Sequence, residues 1–321
     1  MRIDVHSHFM SPKLARRLER RSRFPYSRLV DGTYHFYCGP GTTVSMMPAI
    51  SDMARKLEDM DRRGIDVAIL SLSVPGPERL GGKQADLVAR EANDLLAELI
   101  ADQTDRLWGY ATLGFGDIDA SLKELDRCFS TLGFRGLQLF SNINGEPLDA
   151  PRFRPLYARM AELGRPIFIH PTVPLNQNYL TDLIPVPVLA FIVDTTLAAM
   201  RLALSGVLAE YENLPIIIPH VGATLPYLMA RLDAMLPFFG GPDAMKEPSR
   251  YLKRLYMDTV AYRPEPLQWC FSLMGASQLL FGTDHPYARW DLPGGLIEGL
   301  PCSDHEREQI FHGNAERLFR P

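Results

Sequence analysis

Cysteine is scarce in this sequence, and the four cysteines that occur are far apart. Cys38, Cys128, Cys270 and Cys302 form no C-x-x-C pair, so their spacing indicates neither a compact cysteine metal site nor a dense disulfide framework. We expect four free thiols, which are typical of proteins in a reducing compartment.

A long apolar run and an excess of positive charge are missing as well. No apolar stretch reaches the roughly 20 residues that cross a bilayer, and charged and polar side chains already occur in the first eight positions, unlike a signal peptide. Lys and Arg number 34 against 38 Asp and Glu, and this net charge of −4 argues against a nucleic-acid partner. We therefore expect a cytoplasmic protein that binds neither membranes nor nucleic acids.

What the sequence does contain is an alternation of short apolar runs with helix-length segments. The 321 residues are 46% hydrophobic and 22% charged, which is ample for a buried core. Eight strands that alternate with helices favour parallel pairing and a closed (β/α)8 TIM barrel, and no linker interrupts them, so we expect one domain over residues 1–321. The strands are predicted at 2–6, 67–72, 107–113, 136–140, 166–170, 215–219, 254–259 and 279–283. The helices are predicted at 51–63, 84–101, 120–132, 152–163, 195–211 and 225–236.

Three connections are longer than the usual loop between a strand and a helix. They span 9–50 after strand one, 171–194 after strand five, and 237–250 beyond the helix that follows strand six. The first two leave the C-terminal ends of strands, where barrels carry their active sites. The proline-rich 171–194 segment is expected to form a lid or pocket wall, with Asp194 capping the next helix, whereas 237–250 fits an ordinary surface loop equally well.

Five candidate metal or acid–base residues stand at the C-terminal ends of predicted strands. Side chains two apart on a strand project to the same side, so His6 and His8 are expected to lie together. The C-terminal ends of all barrel strands surround one mouth, which brings the other candidates close to them. Each residue alone could be an ordinary polar group at a strand end, but five in the same position indicate a metal site. Imidazoles with one carboxylate suit zinc, with manganese, cobalt or iron as alternatives. The five are His6, His8, His170, His220 and Asp284.

Taken in order, the motifs around these residues resemble the amidohydrolase superfamily, in particular its branch of aminocarboxymuconate-semialdehyde and resorcylate-type decarboxylases. The resemblance implies that His6, His8, His170 and Asp284 hold one divalent metal, for which the donor set favours Zn²⁺, with Mn²⁺ as the alternative. It also implies that His220 acts beside the metal as a catalytic acid–base group, with Asp284 as a second candidate proton donor. The motifs are 4–9 (DVHSHF), 168–171 (FIHP), 220–223 (HVGA), 281–286 (FGTDHP) and 312–319 (HGNAERLF).

Residues near these motifs refine the expectation. Members of the superfamily with two metals usually carry a lysine or glutamate on strand four, and Gln138 stands there instead, which favours a single metal. Asp258 ends strand seven and is expected either to orient a ligand histidine or to cap the next helix. Ala223 and Thr283 depart from the glycine and serine usual in the family, but neither is a ligand.

Three residues are candidates for binding the substrate. The resemblance implies that Arg231 reaches into a neighbouring subunit to hold a substrate carboxylate, and hence that the protein is a homodimer; the alternative is a surface arginine paired with Asp233. Phe191 is expected to stack on a planar substrate or simply to pack. His285 is expected to line the pocket or to pack behind the ligands.

These residues predict a metal-dependent, nonoxidative decarboxylase that acts on a small aromatic or unsaturated carboxylic acid. The alternative is a hydrolase of a lactone, an amide or a carbon–carbon bond, or a hydratase, on the same site, because the metal ligands are common to all three chemistries. A barrel that only binds, without turnover, would not need the complete ligand set together with His220.

Overall fold

Eight parallel strands form the centre of the fold. The computed structural model describes residues 1–175, 180, 183–240, 245–287 and 289–320. The strands are β1 Ile3–Phe9, β5 Val67–Leu72, β6 Leu107–Ala111, β7 Gly136–Phe140, β10 Ile167–His170, β11 Ile216–Ile218, β12 Tyr256–Asp258 and β13 Leu279–Leu280. Each pairs in parallel with the next in this order, so the sheet follows the chain from β1 to β13.

The last strand returns to the first and closes the barrel. The amide of Val5 donates to the carbonyl of Phe281 at 2.9 Å, and two further backbone bonds follow at the C-terminal end of β1. The predicted (β/α)8 TIM barrel is therefore confirmed.

Helices follow the strands and cover the outside of the barrel, except for the short turn Pro219–Gly222, which lies at the barrel mouth and has left-handed backbone at His220 and Val221. Their ends have local causes: α2 begins after Asp52, whose side chain accepts the amide of Arg55, and ends at Gly64, where φ of +62° favours glycine. The helices are α1 Pro12–Glu19, α2 Met53–Arg63, α3 Gly82–Ile100, α4 Ile118–Ser130, α5 Arg154–Leu163, α6 Ala190–Leu204, α7 Val207–Glu210, α8 Pro219–Gly222, α9 Leu225–Phe239, α10 Ser249–Leu252, α11 Pro264–Met274, α12 Pro293–Glu298, α13 Asp304–Glu308 and α14 Asn314–Leu318.

The predicted bounds differ from the structure at several elements. Strands 67–72 and 136–140 have the predicted bounds, but the last strand has only two residues. The helix predicted at 195–211 is two helices, α6 and α7. The cap prediction for Asp194 is wrong, because Asp194 lies inside α6 and accepts hydrogen bonds from Ser141 and Asn142.

The long connection 9–50 is folded. It contains α1 and an antiparallel sheet of β2 Tyr26–Val30, β3 Thr33–Gly39 and β4 Thr42–Ser45. A short hairpin, β8 Asn142–Ile143 with β9 Glu146–Pro147, follows β7. In the predicted lid, residues 176–179 and 181–182 lie outside the described residues, as do 241–244 in the third connection.

Apolar side chains fill the barrel beneath the mouth. Phe168 stacks on Tyr110 with ring centroids 5.4 Å apart, and the C-terminal Phe319 meets Tyr110 edge to face from below. His6 rests edge-on against Phe168 at 4.8 Å. Burying each of these rings contributes about 1.5–3 kcal/mol to the free energy of unfolding. The histidines therefore pack against a well-stabilised layer of apolar side chains.

Two expectations drawn from absences can be compared with the structure. All four cysteines are free. Within the described ranges, no helix has both the length and the apolar character needed to cross a membrane.

Candidate metal centre

Four of the five predicted residues meet at the barrel mouth. Their potential ligand atoms all lie within 4.8 Å of one another. Asp284 Oδ1 is 3.0 Å from His8 Nε2 and 3.2 Å from His6 Nε2, and the two Nε2 atoms are 3.2 Å apart. His170 completes the group, with its ring centroid 4.7 Å from that of His8. Three imidazoles and one carboxylate therefore converge on one point.

Hydrogen bonds on the far side of the rings set the direction of the lone pairs. His6 Nδ1 lies 2.6 Å from Asp258 Oδ2, and because a carboxylate accepts, Nδ1–H donates, so that in the neutral ring Nε2 keeps the lone pair. His170 Nδ1–H donates to the Pro171 carbonyl at 2.7 Å with the same result. Lone pairs that face one another repel unless a cation lies between them, so the arrangement fits a bound metal.

The third imidazole is held from the neighbouring strand. His8 Nδ1 is 3.0 Å from Ser71 Oγ on β5, and the same hydroxyl lies 3.2 Å from the Ser7 carbonyl. His8 Nε2 then faces Asp284. Asp258 and Ser71 therefore orient two of the rings, and for Asp258 the expectation that it orients a ligand histidine agrees with its position.

The pKa values of the clustered side chains depart strongly from their ordinary range. Burial lowers the pKa of His8 to about 4 and, with the neighbouring histidines, holds that of His170 well below its usual range. Burial opposes protonation of His6, but the Asp284 and Asp258 carboxylates outweigh it and raise its pKa to about 10. Burial alone would raise the pKa of Asp284, yet the adjacent imidazoles hold it well below its usual range. Metal binding at His6 would compete with its proton.

His220 stands beside the cluster on a strained turn. Its Nε2 lies 3.7 Å from Asp284 Oδ2, and its buried Nδ1 has no hydrogen-bond partner among the described residues. Three non-glycine residues of this turn, His220, Val221 and Ala223, have φ of 56°, and Asp284 has φ of 63°. Such backbone costs of order 1–3 kcal/mol per residue and is common at functional sites. Ala223 thus occupies a position where the glycine usual in the family would fit more easily.

A buried acid supports the loop that carries Asp284. Asp4 accepts from the amides of His6 and Thr283 at 3.0 Å and from the Thr283 hydroxyl at 2.6 Å. Burial raises its pKa to about 6. The Thr283 hydroxyl makes a bond that serine could also make, so this departure from the family pattern leaves the support intact.

His285 lies behind the ligands. Its Nδ1 is 2.8 Å from Lys56 Nζ and its Nε2 is 3.1 Å from Asp59 Oδ2, while the ring meets Trp290 edge to face. Both nitrogens are therefore engaged by the protein, which leaves none for a substrate. The alternative expectation, that His285 packs behind the ligands, agrees with this position, and its role in substrate binding stays a prediction.

The other two substrate candidates are Arg231 and Phe191. Arg231 is exposed on α9 and lines a groove of about 240 Å³ against α6. Asp233, its expected partner, instead accepts from the amide and hydroxyl of Ser249, and no ion pair of Arg231 occurs within the described residues. Phe191 is buried with Val186 at the start of α6. Their roles in binding stay predictions.

Three residues around the mouth were not identified as candidates from the sequence. The Tyr287 ring is 5.5 Å from that of His8, and its hydroxyl meets Ser73 Oγ at 2.7 Å. Phe140 ends β7 with its ring 6.2 Å from that of His170. Glu78, in the connection after β5, is buried, and neither carboxylate oxygen has a hydrogen-bond partner among the described residues. No motif or period marks these positions; only packing does.

Sequence comparisons place this site among known enzymes. A sequence model of the family described as Amidohydrolase matches residues 3–320. The chain is 34% identical over 288 residues to gamma-resorcylate decarboxylase of Rhizobium sp. (strain MTP-10005), covering 83% of this chain and 86% of that one. It is 27% identical over 335 residues to 2-amino-3-carboxymuconate-6-semialdehyde decarboxylase of Dictyostelium discoideum, covering 98% and 90%.

Solved structures agree with the sequence comparisons. The 5-carboxyvanillate decarboxylase from Sphingomonas paucimobilis superimposes with a TM-score of 0.87 at 26% identity, covering 99% of this chain and 98% of that one. A dihydroxybenzoic acid decarboxylase from Polaromonas sp. JS666, solved with bound manganese and the inhibitor 2-nitroresorcinol, has a TM-score of 0.81 at 27% identity, covering 99% and 96%.

Proposed function

The chain belongs to the Amidohydrolase family, and from this premise we propose that it is a metal-dependent, nonoxidative decarboxylase of a small aromatic or unsaturated carboxylic acid, acting as one domain over residues 1–321. The observation that carries the proposal is the convergence of three imidazoles and Asp284 within 4.8 Å, with His220 Nε2 facing the free carboxylate oxygen. The relatives reported above are decarboxylases, which favours this chemistry.

His6, His8, His170 and Asp284 would hold one divalent cation. The donor set suits zinc, and the manganese in the Polaromonas relative makes Mn²⁺ the alternative. Gln138, at 3% exposure, donates to the Leu72 carbonyl and offers no carboxylate for a second metal. When bound, the cation would supply the positive charge against which a substrate carboxylate or adjacent oxygen binds.

The residues of the chain divide the remaining work. Asp284 presents Oδ1 to His6 and His8, and its Oδ2 faces His220 Nε2 at 3.7 Å, so His220 can carry a proton on Nε2 beside a carboxylate that stabilises the charge. That proton would pass to the substrate carbon that bears the carboxylate; the bond to the carboxyl carbon then breaks, CO₂ leaves and its electron pair stays with the substrate. No electron acceptor is required. Positioned proton transfer of this kind typically contributes 10²–10⁴-fold in rate.

We also propose that the protein is a homodimer in which Arg231 binds substrate carboxylate in the neighbouring subunit. Support comes from the apolar side chains around it: Tyr227, Phe238 and Phe239 on α9 are 67%, 82% and 79% exposed. Exposed aromatic patches of this kind mark interaction surfaces, and a second copy would cover them. A guanidinium without an ion-pair partner in the described structure is free to reach another subunit.

The experiment that tests the function is mass spectrometry of products from zinc- or manganese-loaded protein. The panel contains hydroxybenzoates, muconate-type acids and aromatic lactones. We expect a product lighter by CO₂ that falls at least 100-fold with His220→Ala. The matched control is His305→Ala, the same change at an exposed histidine on α13, which should retain activity.

The same experiment separates the rival chemistries. A product heavier by water would assign the metal site to a hydrolase or hydratase and reject decarboxylation. A CO₂-releasing activity that survives His220→Ala unchanged would reject the acid–base role of His220.

A further inference from the structure

The metal ligands stand on both sides of the line where the barrel closes. His6 and His8 belong to β1, whereas Asp284 follows β13, which is only two residues long. Across this seam the Asp284 amide donates to the His6 carbonyl at 2.8 Å, and the His8 amide donates to the His285 carbonyl at 2.9 Å. The geometry of the ligand set therefore depends on how firmly this seam is held.

A buried lysine joins the two sides of the seam from outside the barrel. Lys56 extends from α2 and is fully buried. Its Nζ lies 3.0 Å from Ser7 Oγ on β1 and 2.8 Å from His285 Nδ1 beyond β13. Ser7 and His285 are themselves paired across the seam as a parallel bridge. Because Ser7 alternates with His6 and His8 along β1, its side chain points to the opposite face from the ligands.

The direction of these hydrogen bonds is fixed by the groups beyond them. Asp59 pairs with the Arg62 guanidinium, so its carboxylate can only accept, and His285 Nε2–H must donate to it. A neutral His285 then presents a lone pair at Nδ1, which Lys56 fills by donating. Burial lowers the pKa of Lys56 to about 7 while Asp4 opposes the shift, and both the ammonium and the neutral amine can donate here.

We propose that Lys56 is a positioning residue of the metal centre. Its two hydrogen bonds fix the position of Ser7 relative to His285. Because Ser7 precedes His8 and His285 follows Asp284, these bonds also fix the separation between His8 and Asp284 that lets both ligate one cation. The inference rests on the proposed metal-dependent function. It adds a residue that touches neither the metal ligands nor the substrate but sets the affinity of the site.

The direction in which metal affinity changes when Lys56 is replaced distinguishes a positioning role from a purely electrostatic one. A positive charge near the site repels a divalent cation, so its removal alone would strengthen metal binding. Loss of a residue that orients ligands typically weakens metal affinity 10–100-fold. If Lys56 acts by positioning, Lys56→Met weakens binding despite the removed repulsion.

The experiment measures Zn²⁺ affinity by competition with a chromophoric chelator on the purified full-length chain, stripped of metal. Wild type is compared with Lys56→Met, Lys56→Arg and the matched control Lys123→Met, an exposed lysine on α4. We expect at least a tenfold loss for Lys56→Met, a smaller loss for Lys56→Arg, which retains donors, and no change for Lys123→Met. The visible spectrum of Co²⁺-loaded protein should change with Lys56→Met, because it reports ligand geometry that lost folding stability alone would not alter.

Each outcome decides the question. Unchanged or tighter metal binding by a folded Lys56→Met variant would overturn the inference. If Lys56→Met does not fold, Ser7→Ala replaces it, since it removes one of the two clamp bonds: weaker metal binding supports the clamp, and wild-type affinity overturns it. Failure of the wild type itself to bind metal would instead refute the proposed function.

Discussion

The burial of the Glu78 carboxyl near the barrel mouth can be tested through its effect on stability at different pH values. Its side chain is 2% exposed, and desolvation raises the pKa of its carboxyl from 4.5 to about 8, with only its own amide and Arg79 opposing. We therefore expect Glu78 to be protonated in the folded protein at neutral pH. Glu78→Gln replaces it with a side chain of the same size that carries no titrating proton.

The magnitude and sign follow from the linkage between protonation and folding. In the unfolded chain Glu78 ionises near its ordinary pKa, so between pH 4.5 and about 8 the unfolded state loses a proton that the folded state keeps. Its contribution to stability is complete below pH 4.5 and is lost as the pH rises through about 8. At about 1.4 kcal/mol per unit, the shift corresponds to at most about 5 kcal/mol. Relaxation around the ionised group lowers the expectation to about 2–4 kcal/mol.

The assay is equilibrium urea unfolding of wild type and Glu78→Gln at several pH values from 4 to 9. We expect near-equal free energies of unfolding at the acidic end and a variant that gains on the wild type by about 2–4 kcal/mol toward pH 9. Glu98→Gln, the same change at an exposed position of α3, should stay parallel to the wild type throughout. A difference between wild type and Glu78→Gln that is independent of pH would refute the assigned burial.

Four further predictions address the metal centre and its surroundings. Asp258→Asn should weaken metal affinity 10–100-fold by releasing the ring of His6, as measured by chelator competition; unchanged affinity would contradict the 2.6 Å contact. Prolonged treatment with dipicolinate should abolish activity and added Zn²⁺ or Mn²⁺ should restore it, whereas full activity in verified metal-free protein would reject metal dependence. Mixing inactive Arg231→Ala and His220→Ala subunits should restore about a quarter of wild-type activity through mixed dimers, and no recovery despite confirmed subunit exchange would exclude the shared site. Ala223→Gly should raise the free energy of unfolding by about 1 kcal/mol by relieving the backbone at φ 56° and ψ −124°, and a less stable variant would show that the turn is unstrained.

The sequence by itself determined the barrel fold and the location of the candidate metal site at its mouth. The β-strands are short and apolar on both faces, so their positions are visible as bounded runs, and parallel topology brings every C-terminal strand end to one mouth. Once His6 and His8 are two apart on a strand, and His170 and Asp284 end later strands, topology places them at one mouth, where the structure brings their ligand atoms within 4.8 Å. The family resemblance, now confirmed over residues 3–320, rests on the same short motifs.

Only the tertiary structure decided which groups surround the ligands. Lys56 and His285 are 229 residues apart, and nothing in either local sequence marks their contact. Asp194 has the residue type of a helix cap, yet its buried bonds to Ser141 and Asn142 place it within α6. Local propensity and periodicity report the next few residues along the chain. Buried hydrogen bonds and desolvation depend instead on which distant elements pack together, and at this site packing set the direction of the His6, His8 and His170 rings.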